Sequence, residues 1–303
     1  MLRTLTRNGA GALVLGALAH SARMHGLEAD KAVPVTTSTP LTGLVGVPAS
    51  AVHQWDANWD FRAPPNKGED AKDAAVAPTP LAAADPLASA TTVSAAGALD
   101  RSKKATATRH IVMVRHGQYQ DKESDHAKRV LTDLGRRQLA LTGDRLAKLF
   151  PEITAVYSSD MPRAVESAAI VCGRLTELLH KDFVAVVDPM LKEGAPVPPS
   201  PSSSLYTPDV YFRDGARIEA AFRQHFYRAS PSQEKDSVDV LVCHGNVIRY
   251  FTMRALQLPT SAWLRTSLPH GSITWISIRP SGNVSLRYFG NDGFIPADQV
   301  STS

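Results

Sequence analysis

Short apolar runs and amphipathic segments alternate along the chain after residue 108. Consecutive apolar residues bounded by polar ones are typical of buried strands. Such runs occupy residues 111–114, 155–158, 183–187 and 238–243. Residues 273–278 and 284–288 predict a late antiparallel pair, because the Pro280-Ser281-Gly282-Asn283 sequence between them is typical of a turn.

Four segments between or after these strands carry apolar residues at helical spacing. Thr132 is the predicted N-cap of the first helix, and Pro162 stands where the second begins. The third lies around residues 218–226, and the last covers 247–256 and ends before Pro259. The alternation predicts an α/β fold with a mostly parallel central sheet flanked by helices.

Residues 28–108 show neither the two-residue period of a strand nor the 3.6-residue period of a helix in their apolar positions. They are rich in Ala, Pro, Ser and Thr. A segment that buries so little apolar surface does not offset the entropy lost on ordering, so we predict a disordered linker. Residues 55–60 interrupt it with Trp55, Asp56, Asn58, Trp59 and Asp60, which include two of the four tryptophans. Because an exposed Trp often enters a pocket, we interpret this as a docking motif for another chain. A chance aromatic cluster is the alternative.

Residues 1–27 form a basic segment without an acidic residue. The apolar run over residues 9–19 is shorter than the roughly 20 residues that span a bilayer, and His20 and Arg23 follow it. This pattern favours a mitochondrial targeting or membrane-anchor segment. A secretory signal peptide and a disordered cytosolic tail are the alternatives.

Composition narrows the classes of partner and compartment. The 303 residues carry a net charge of +4, too weak a basic balance to predict nucleic-acid binding. Cys172 and Cys243 form no CxxC pair, so we expect two reduced thiols and no zinc knuckle.

Four polar clusters fall at or near the ends of predicted strands, where open α/β sheets bind their ligands. They are Arg115-His116-Gly117, residues 158–164, residues 191–194 and residues 243–246. A histidine after a strand can attack phosphorus through a ring nitrogen and form a phosphohistidine, so His116 is the candidate nucleophile. Gly117 would let the backbone approach the phosphate.

The other clusters supply groups that a phosphoryl transfer needs. Arg115 and Arg163 offer donors to phosphate oxygens, the second from a helix start. Glu193 is the candidate general acid, and His244 can hydrogen-bond the transferring oxygens. A zinc site at His116 and His244 lacks supporting spacing, so we predict no metal and no other cofactor.

The segment 109–296 resembles the histidine phosphatase superfamily, which has the phosphoglycerate mutase-like fold. Arg115-His116-Gly117, residues 131–138 and residues 158–168 carry the resemblance, with Ser167 where Thr is commoner. The resemblance implies a catalytic domain over 109–296 and a tail over 297–303. It implies His116 as nucleophile, Arg115 and Arg163 as phosphate clamps, His244 as the second pocket histidine and Glu193 as proton donor.

A narrower resemblance is to the mitochondrial serine/threonine-protein phosphatase branch of this superfamily. Residues 114–119, 214–222, 246–250 and 271–274 carry it. Residues 55–60 resemble the branch's multimerisation motif, which implies homo-oligomers in which the motif docks on a neighbour's catalytic domain. The basic N-terminal segment implies mitochondrial, membrane-associated localisation.

We therefore predict a metal-independent phosphatase acting on phosphoserine and phosphothreonine proteins, a phosphoric monoester hydrolase. A small-molecule phosphatase or mutase of the same fold is one alternative, and an oligomeric mitochondrial scaffold is another. The low-complexity segment 196–204 is expected to lie over the pocket and influence substrate choice, unless it is a solvated spacer.

Overall fold

The structure, a computed structural model, describes residues 54–63 and 104–302. The predicted targeting segment 1–27 and most of the predicted linker 28–108 lie outside these residues. The strands are β1 (Arg109–Arg115), β2 (Ala155–Ser158), β3 (Val186–Val187), β4 (Ser237–Cys243), β5 (Ile273–Ile278) and β6 (Val284–Asn291). The α-helices are α1 (Asp133–Leu149), α2 (Pro162–Leu179), α3 (Pro208–His225) and α4 (Gly245–Ala255).

These strands form one sheet in the order β3-β2-β4-β1-β5-β6. Strands β3, β2, β4 and β1 are parallel, whereas β5 and β6 run antiparallel to their neighbours. Arg115 is paired with Cys243 and Ser158 with Val242, so β1, β2 and β4 all end at one edge. The predicted mostly parallel α/β fold and the late antiparallel pair are confirmed.

Local sequence signals set the helix starts as predicted. The Thr132 side chain accepts a hydrogen bond from the Gly135 backbone N–H at 3.1 Å, which caps α1. Pro162 is the first residue of α2, where its missing N–H costs nothing.

The predicted strand over residues 183–187 was too long, because only Val186 and Val187 pair with β2. Phe183 and Ala185 pack against the core, while Val184 between them is 84% exposed. The apolar run therefore reflects packing on one face of an edge segment.

The core lies on both faces of the sheet. Alternate residues of β1 point to opposite faces, so Ile111 and Met113 join one apolar cluster and Val112 and Val114 join the other. The first cluster includes side chains of α3 and α4, and the second includes side chains of α1 and α2. Covering both faces is what a mainly parallel sheet requires.

Residues 54–63, which we call the docked segment, pack on the domain of the same chain. Trp59 is only 4% exposed, and its Nε1 donates to the Gly282 carbonyl oxygen at 2.8 Å. The Asp60 carboxylate accepts from the Arg228 guanidinium at 2.6 Å, and both side chains are buried. The predicted disordered linker thus contains an ordered piece at the predicted docking motif, and the surface it contacts belongs to its own chain.

The described part of the predicted tail 297–303 also belongs to the fold. Gln138 Nε2 donates to the Gln299 carbonyl oxygen at 2.7 Å, and the His270 backbone N–H donates to the Ser301 carbonyl oxygen at 2.9 Å. In residues 54–63 and 104–302, no helix combines the length and apolarity needed to cross a membrane.

Candidate active site

The polar clusters predicted from the sequence meet at the edge where β1, β2 and β4 end. They surround a pocket of about 290 Å³. Its walls include Arg115, His116, Arg163, Glu193, Gly245 and Arg249. His244 is fully buried behind this wall, with its ring centroid 5.1 Å from that of His116. The structure thus brings the predicted nucleophile, clamps, acid and second histidine into one site.

His116 follows β1 directly and is held at both ring nitrogens. Its Nδ1 lies 2.8 Å from the Gly117 carbonyl oxygen, and its Nε2 lies 3.1 Å from Arg163 Nε. A carbonyl oxygen only accepts and an arginine nitrogen only donates, so the proton is on Nδ1 and the lone pair is on Nε2. Nε2 is therefore the atom that can attack phosphorus.

The imidazole of His116 is neutral at physiological pH. Burial lowers its pKa well below the ordinary histidine value, and the neighbouring His244 ring and the charges of Arg163 and Arg115 lower it further. Burial and the charges of Arg163 and Arg115 likewise hold the pKa of His244 far below its ordinary value. A neutral nucleophile keeps its lone pair available across the physiological pH range.

The two predicted phosphate clamps, Arg115 and Arg163, both supply positive charge to the pocket. The Arg115 guanidinium donates to the Leu268 carbonyl oxygen, and burial lowers its pKa to about 10, which leaves it cationic at pH 7. The Arg163 guanidinium lies 4.7 Å from the centre of the Tyr119 ring. Cations fixed in a partly buried pocket stabilise the spreading charge of a transferring phosphoryl group.

Glu193 follows the short 3-10 helix Pro189–Leu191, and its side chain contacts the first turn of α4. Its Oε1 accepts from the Gly194 backbone N–H at 3.0 Å, and its Oε2 accepts from the Asn246 backbone N–H at 3.4 Å. Burial raises the pKa of Glu193, and these two bonds and the charges of Arg163 and Arg115 offset that only in part. A carboxyl group with a raised pKa can hold the proton that a leaving alkoxide needs.

His244 is the N-cap residue of α4, and Ser159 fixes its ring. Its Nε2 lies 2.9 Å from the Ser159 hydroxyl, and within the described residues its buried Nδ1 has no hydrogen-bond partner. A buried polar atom of this kind is costly unless a ligand completes its bonding. The ring is thus suited to bind an oxygen of the transferring phosphoryl group.

Gly117 is not among the residues that line the pocket, so its predicted approach to phosphate stays a prediction. A Cβ atom at this position would lie 2.6 Å from the Gly135 carbonyl oxygen and 2.4 Å from Leu139 Cδ2. The close contact with the start of α1 therefore requires a residue without a side chain at position 117. The Gly117 N–H donates to Ser167 Oγ at 3.2 Å, and that hydroxyl donates to the Arg163 carbonyl oxygen at 2.6 Å.

Sequence reasoning assigned no role to several residues of the site. Tyr119 and Arg249 line the pocket, and both lie within segments that carry the resemblance. Tyr206 lies just after the low-complexity segment that was expected over the pocket, and its hydroxyl accepts from Asn246 Nδ2 at 3.4 Å. For Tyr119 and Arg249, their position within a recognised motif was the available signal.

The predicted oligomerisation residues lie outside this pocket. Asp56 and Trp59 line a separate cleft of about 690 Å³, together with Glu219, Tyr250, Arg254, Gln257, Leu258, Pro259 and Thr260. Trp55 is 38% exposed, and Asn58 accepts from the Ala63 backbone N–H at 3.0 Å within the docked segment.

Known proteins resemble the chain over most of its length. The model of the histidine phosphatase superfamily (branch 1) matches residues 111–193 and 215–291. The mitochondrial serine/threonine-protein phosphatase Pgam5 of Drosophila virilis is 43% identical over 265 residues, covering 84% of this chain and 83% of the relative. The Xenopus laevis protein of that name is 43% identical over 260 residues, covering 85% of this chain and 87% of the relative.

A solved structure of phosphoglycerate mutase from Plasmodium falciparum is 33% identical in sequence. The match covers 61% of this chain and 91% of the mutase chain, with a TM-score of 0.43. The predicted superfamily, the predicted class of phosphatase and the predicted mitochondrial localisation are confirmed by the family match and the named relatives. The chain belongs to the histidine phosphatase superfamily (branch 1).

Proposed function

We propose that this protein is a metal-independent protein-serine/threonine phosphatase that works through a phosphohistidine at His116. The observation that carries the proposal is the neutral His116, whose Nε2 lone pair faces Arg163 in a pocket that also holds Arg115 and Glu193. The relatives named as serine/threonine-protein phosphatases support the substrate class.

In the first step, Nε2 of His116 forms a bond to phosphorus while the bond from phosphorus to the serine or threonine oxygen breaks. That oxygen takes the proton of Glu193 and leaves as the free hydroxyl. The ring of His116 becomes cationic, and the Gly117 carbonyl oxygen that accepts from Nδ1 stabilises this charge. Arg115 and Arg163 balance the charge of the phosphoryl oxygens.

In the second step, a water oxygen attacks phosphorus and the bond to Nε2 breaks. The Glu193 carboxylate takes one proton from the water, which restores the acid for the next cycle. Inorganic phosphate leaves, and His116 returns to its neutral form with the proton still on Nδ1. Side chains supply every charge that these two steps require, so positioning and electrostatic stabilisation account for the catalysis.

We propose further that the protein forms homo-oligomers through residues 55–60 and is anchored to a membrane by residues 1–27. The contacts of Trp59 with Gly282 and of Asp60 with Arg228 support the first part, because each could be made equally by the docked segment of another copy. Residues 64–103 connect this segment to the domain. The basic, acid-free composition of residues 1–27 supports the second part.

The decisive experiment is direct detection of the intermediate. The full-length protein is mixed with a phosphoserine peptide, quenched in early turnover in alkali, which preserves phosphohistidine, and mapped by mass spectrometry. We expect phosphate on His116, and we expect neither label nor phosphate release with His116→Ala. A folded wild-type protein that turns over the peptide without label on His116 would refute the mechanism.

A further inference from the structure

A third histidine, His270, lies against the nucleophile and has no part in the steps above. It is 3% exposed, and its ring centroid lies 5.5 Å from that of His116 and 6.3 Å from that of Tyr119. Since the rings of Tyr119 and His244 each lie 5.1 Å from His116, the nucleophile is packed among three rings. The neighbours of His116 thus limit the orientations available to its imidazole.

Ser301 fixes the His270 ring from outside the pocket. The His270 backbone N–H donates to the Ser301 carbonyl oxygen at 2.9 Å, and His270 Nδ1 lies 3.0 Å from Ser301 Oγ. The same hydroxyl accepts from Gln138 Nε2 at 2.9 Å, and Gln138 Oε1 accepts from the Gln118 backbone N–H at 3.0 Å. The segment Gln299–Ser301 is thereby connected to both the His270 ring and the loop that carries His116.

The other ring nitrogen, Nε2 of His270, has no hydrogen-bond partner among the described residues. Burial and the charge of Arg115 lower the pKa of His270 to about 3, against a bond to Ser301 that raises it. His270 therefore adds a ring next to His116 without adding a positive charge.

We propose that His270 is a positioning residue for phosphoryl transfer at His116, and that the segment Gln299–Ser301 acts through it. The inference rests on the proposed phosphohistidine mechanism. Its physical basis is that Nε2 of His116 must stay aligned with phosphorus through two transfers, and small misalignments lower rates steeply. His270 holds the ring of His116, and Ser301 holds His270.

Single-turnover measurements on full-length variants test this. His270→Asn removes the ring but leaves an amide that can bond Ser301, and Ser301→Ala removes the hydroxyl but leaves the ring. Thr302→Ala is the matched control, because it removes a neighbouring exposed hydroxyl. The readouts are the rate of phosphohistidine formation with a phosphoserine peptide, the inhibition constant of inorganic phosphate, and the melting temperature.

We expect His270→Asn to slow phosphohistidine formation about tenfold, the size of effect typical of residues that orient a reacting side chain. Ser301→Ala should slow it less, and Thr302→Ala should match the wild type. The inhibition constant of phosphate should stay within about twofold, because Arg115 and Arg163 are unchanged.

The inference is overturned if both variants form phosphohistidine at the wild-type rate. The inference is also overturned if the rate of phosphohistidine formation falls only by the same factor as the affinity for inorganic phosphate. His270 would then contribute to phosphate binding and not to the alignment of His116. If His270→Asn does not fold, the result with Ser301→Ala decides. A wild-type protein without phosphohistidine would refute the proposed mechanism itself, which separates the two failures.

Discussion

At the scale of single residues, burial has opposite effects on His116 and Glu193, the two groups to which the proposed mechanism assigns nucleophile and acid. Burial lowers the pKa of His116 because it disfavours the cation, and it raises the pKa of Glu193 because it disfavours the anion. The two shifts together favour a neutral nucleophile beside a protonated acid, which is the pair of states that the first step needs.

This pairing predicts the pH dependence of the first step. As the pH falls through the ordinary range of histidine titration, activity should persist, because the folded pKa of His116 lies well below it. As the pH rises through the raised pKa of Glu193, the acid form and the rate with peptide substrates should both fall. Single-turnover rates against pH measure this, and a loss of rate near the ordinary histidine pKa would contradict it.

Replacement of the acid tests its role separately. Glu193→Gln should lower the hydrolysis of a phosphoserine peptide by about 10²-fold or more, because the serine alkoxide then leaves without a proton. The burst of p-nitrophenolate from p-nitrophenyl phosphate should be largely retained, since that leaving group needs no proton. Glu152→Gln, at an exposed position, is the control. Equal losses with both substrates would argue against a general acid at Glu193.

At the scale of elements, three strand ends and the helices that follow place the site, and these were predictable. Apolar runs give the strands, Thr132 and Pro162 mark helix starts, and the polar clusters follow the strands. The proposed role of His270 was not predictable, because it depends on the contact with Ser301, and no local sequence period or motif connects these two residues. The docking of Trp59 onto Gly282 was equally beyond a local pattern, since residues far apart in the chain make it.

The contact between the nucleophile loop and α1 gives a prediction at this scale. Gly117→Ala should destabilise the domain by about 1–3 kcal/mol, because its Cβ would overlap the Gly135 carbonyl oxygen and Leu139. Gly173→Ala in α2 is the matched control, since its Cβ would meet nothing within 4 Å. That variant should gain about 0.5–1 kcal/mol from helix propensity. Denaturant unfolding measures both, and an unchanged midpoint for Gly117→Ala would contradict the packing role.

At the scale of the whole molecule, the docked segment carries the case for assembly. Burial would raise the pKa of Asp60, but the bonds and charge of Arg228 outweigh it and hold the pKa below the ordinary value. Docking of the segment should therefore be stable at pH values above the ordinary pKa of a carboxyl group. It should weaken as the pH falls through the lowered pKa of Asp60. The exposed faces of Trp55 and Phe61, 38% and 70% accessible, leave apolar surface beside the docked Trp59.

Asp60→Asn tests whether the segment connects copies. It leaves the Arg228 guanidinium buried without its carboxylate, which costs about 3–5 kcal/mol and should release the segment. Sedimentation should then show a smaller assembly, and Trp55→Ala should shift it in the same direction with a lower rate. Asp182→Asn, at an exposed position, should leave both size and rate unchanged. An unchanged sedimentation profile in both motif variants would contradict assembly through residues 55–60.

Mixing two defective chains distinguishes docking within a chain from docking between chains. Asp60→Asn keeps the catalytic residues but lacks a functional segment, whereas His116→Ala lacks the nucleophile but keeps the segment. If the segment of one copy supports the domain of another, adding His116→Ala protein should raise the peptide phosphatase rate of Asp60→Asn protein. The double variant, added in its place, should not. The absence of any gain at equal concentrations would restrict docking to the chain's own domain, as it is seen for Trp59 and Gly282.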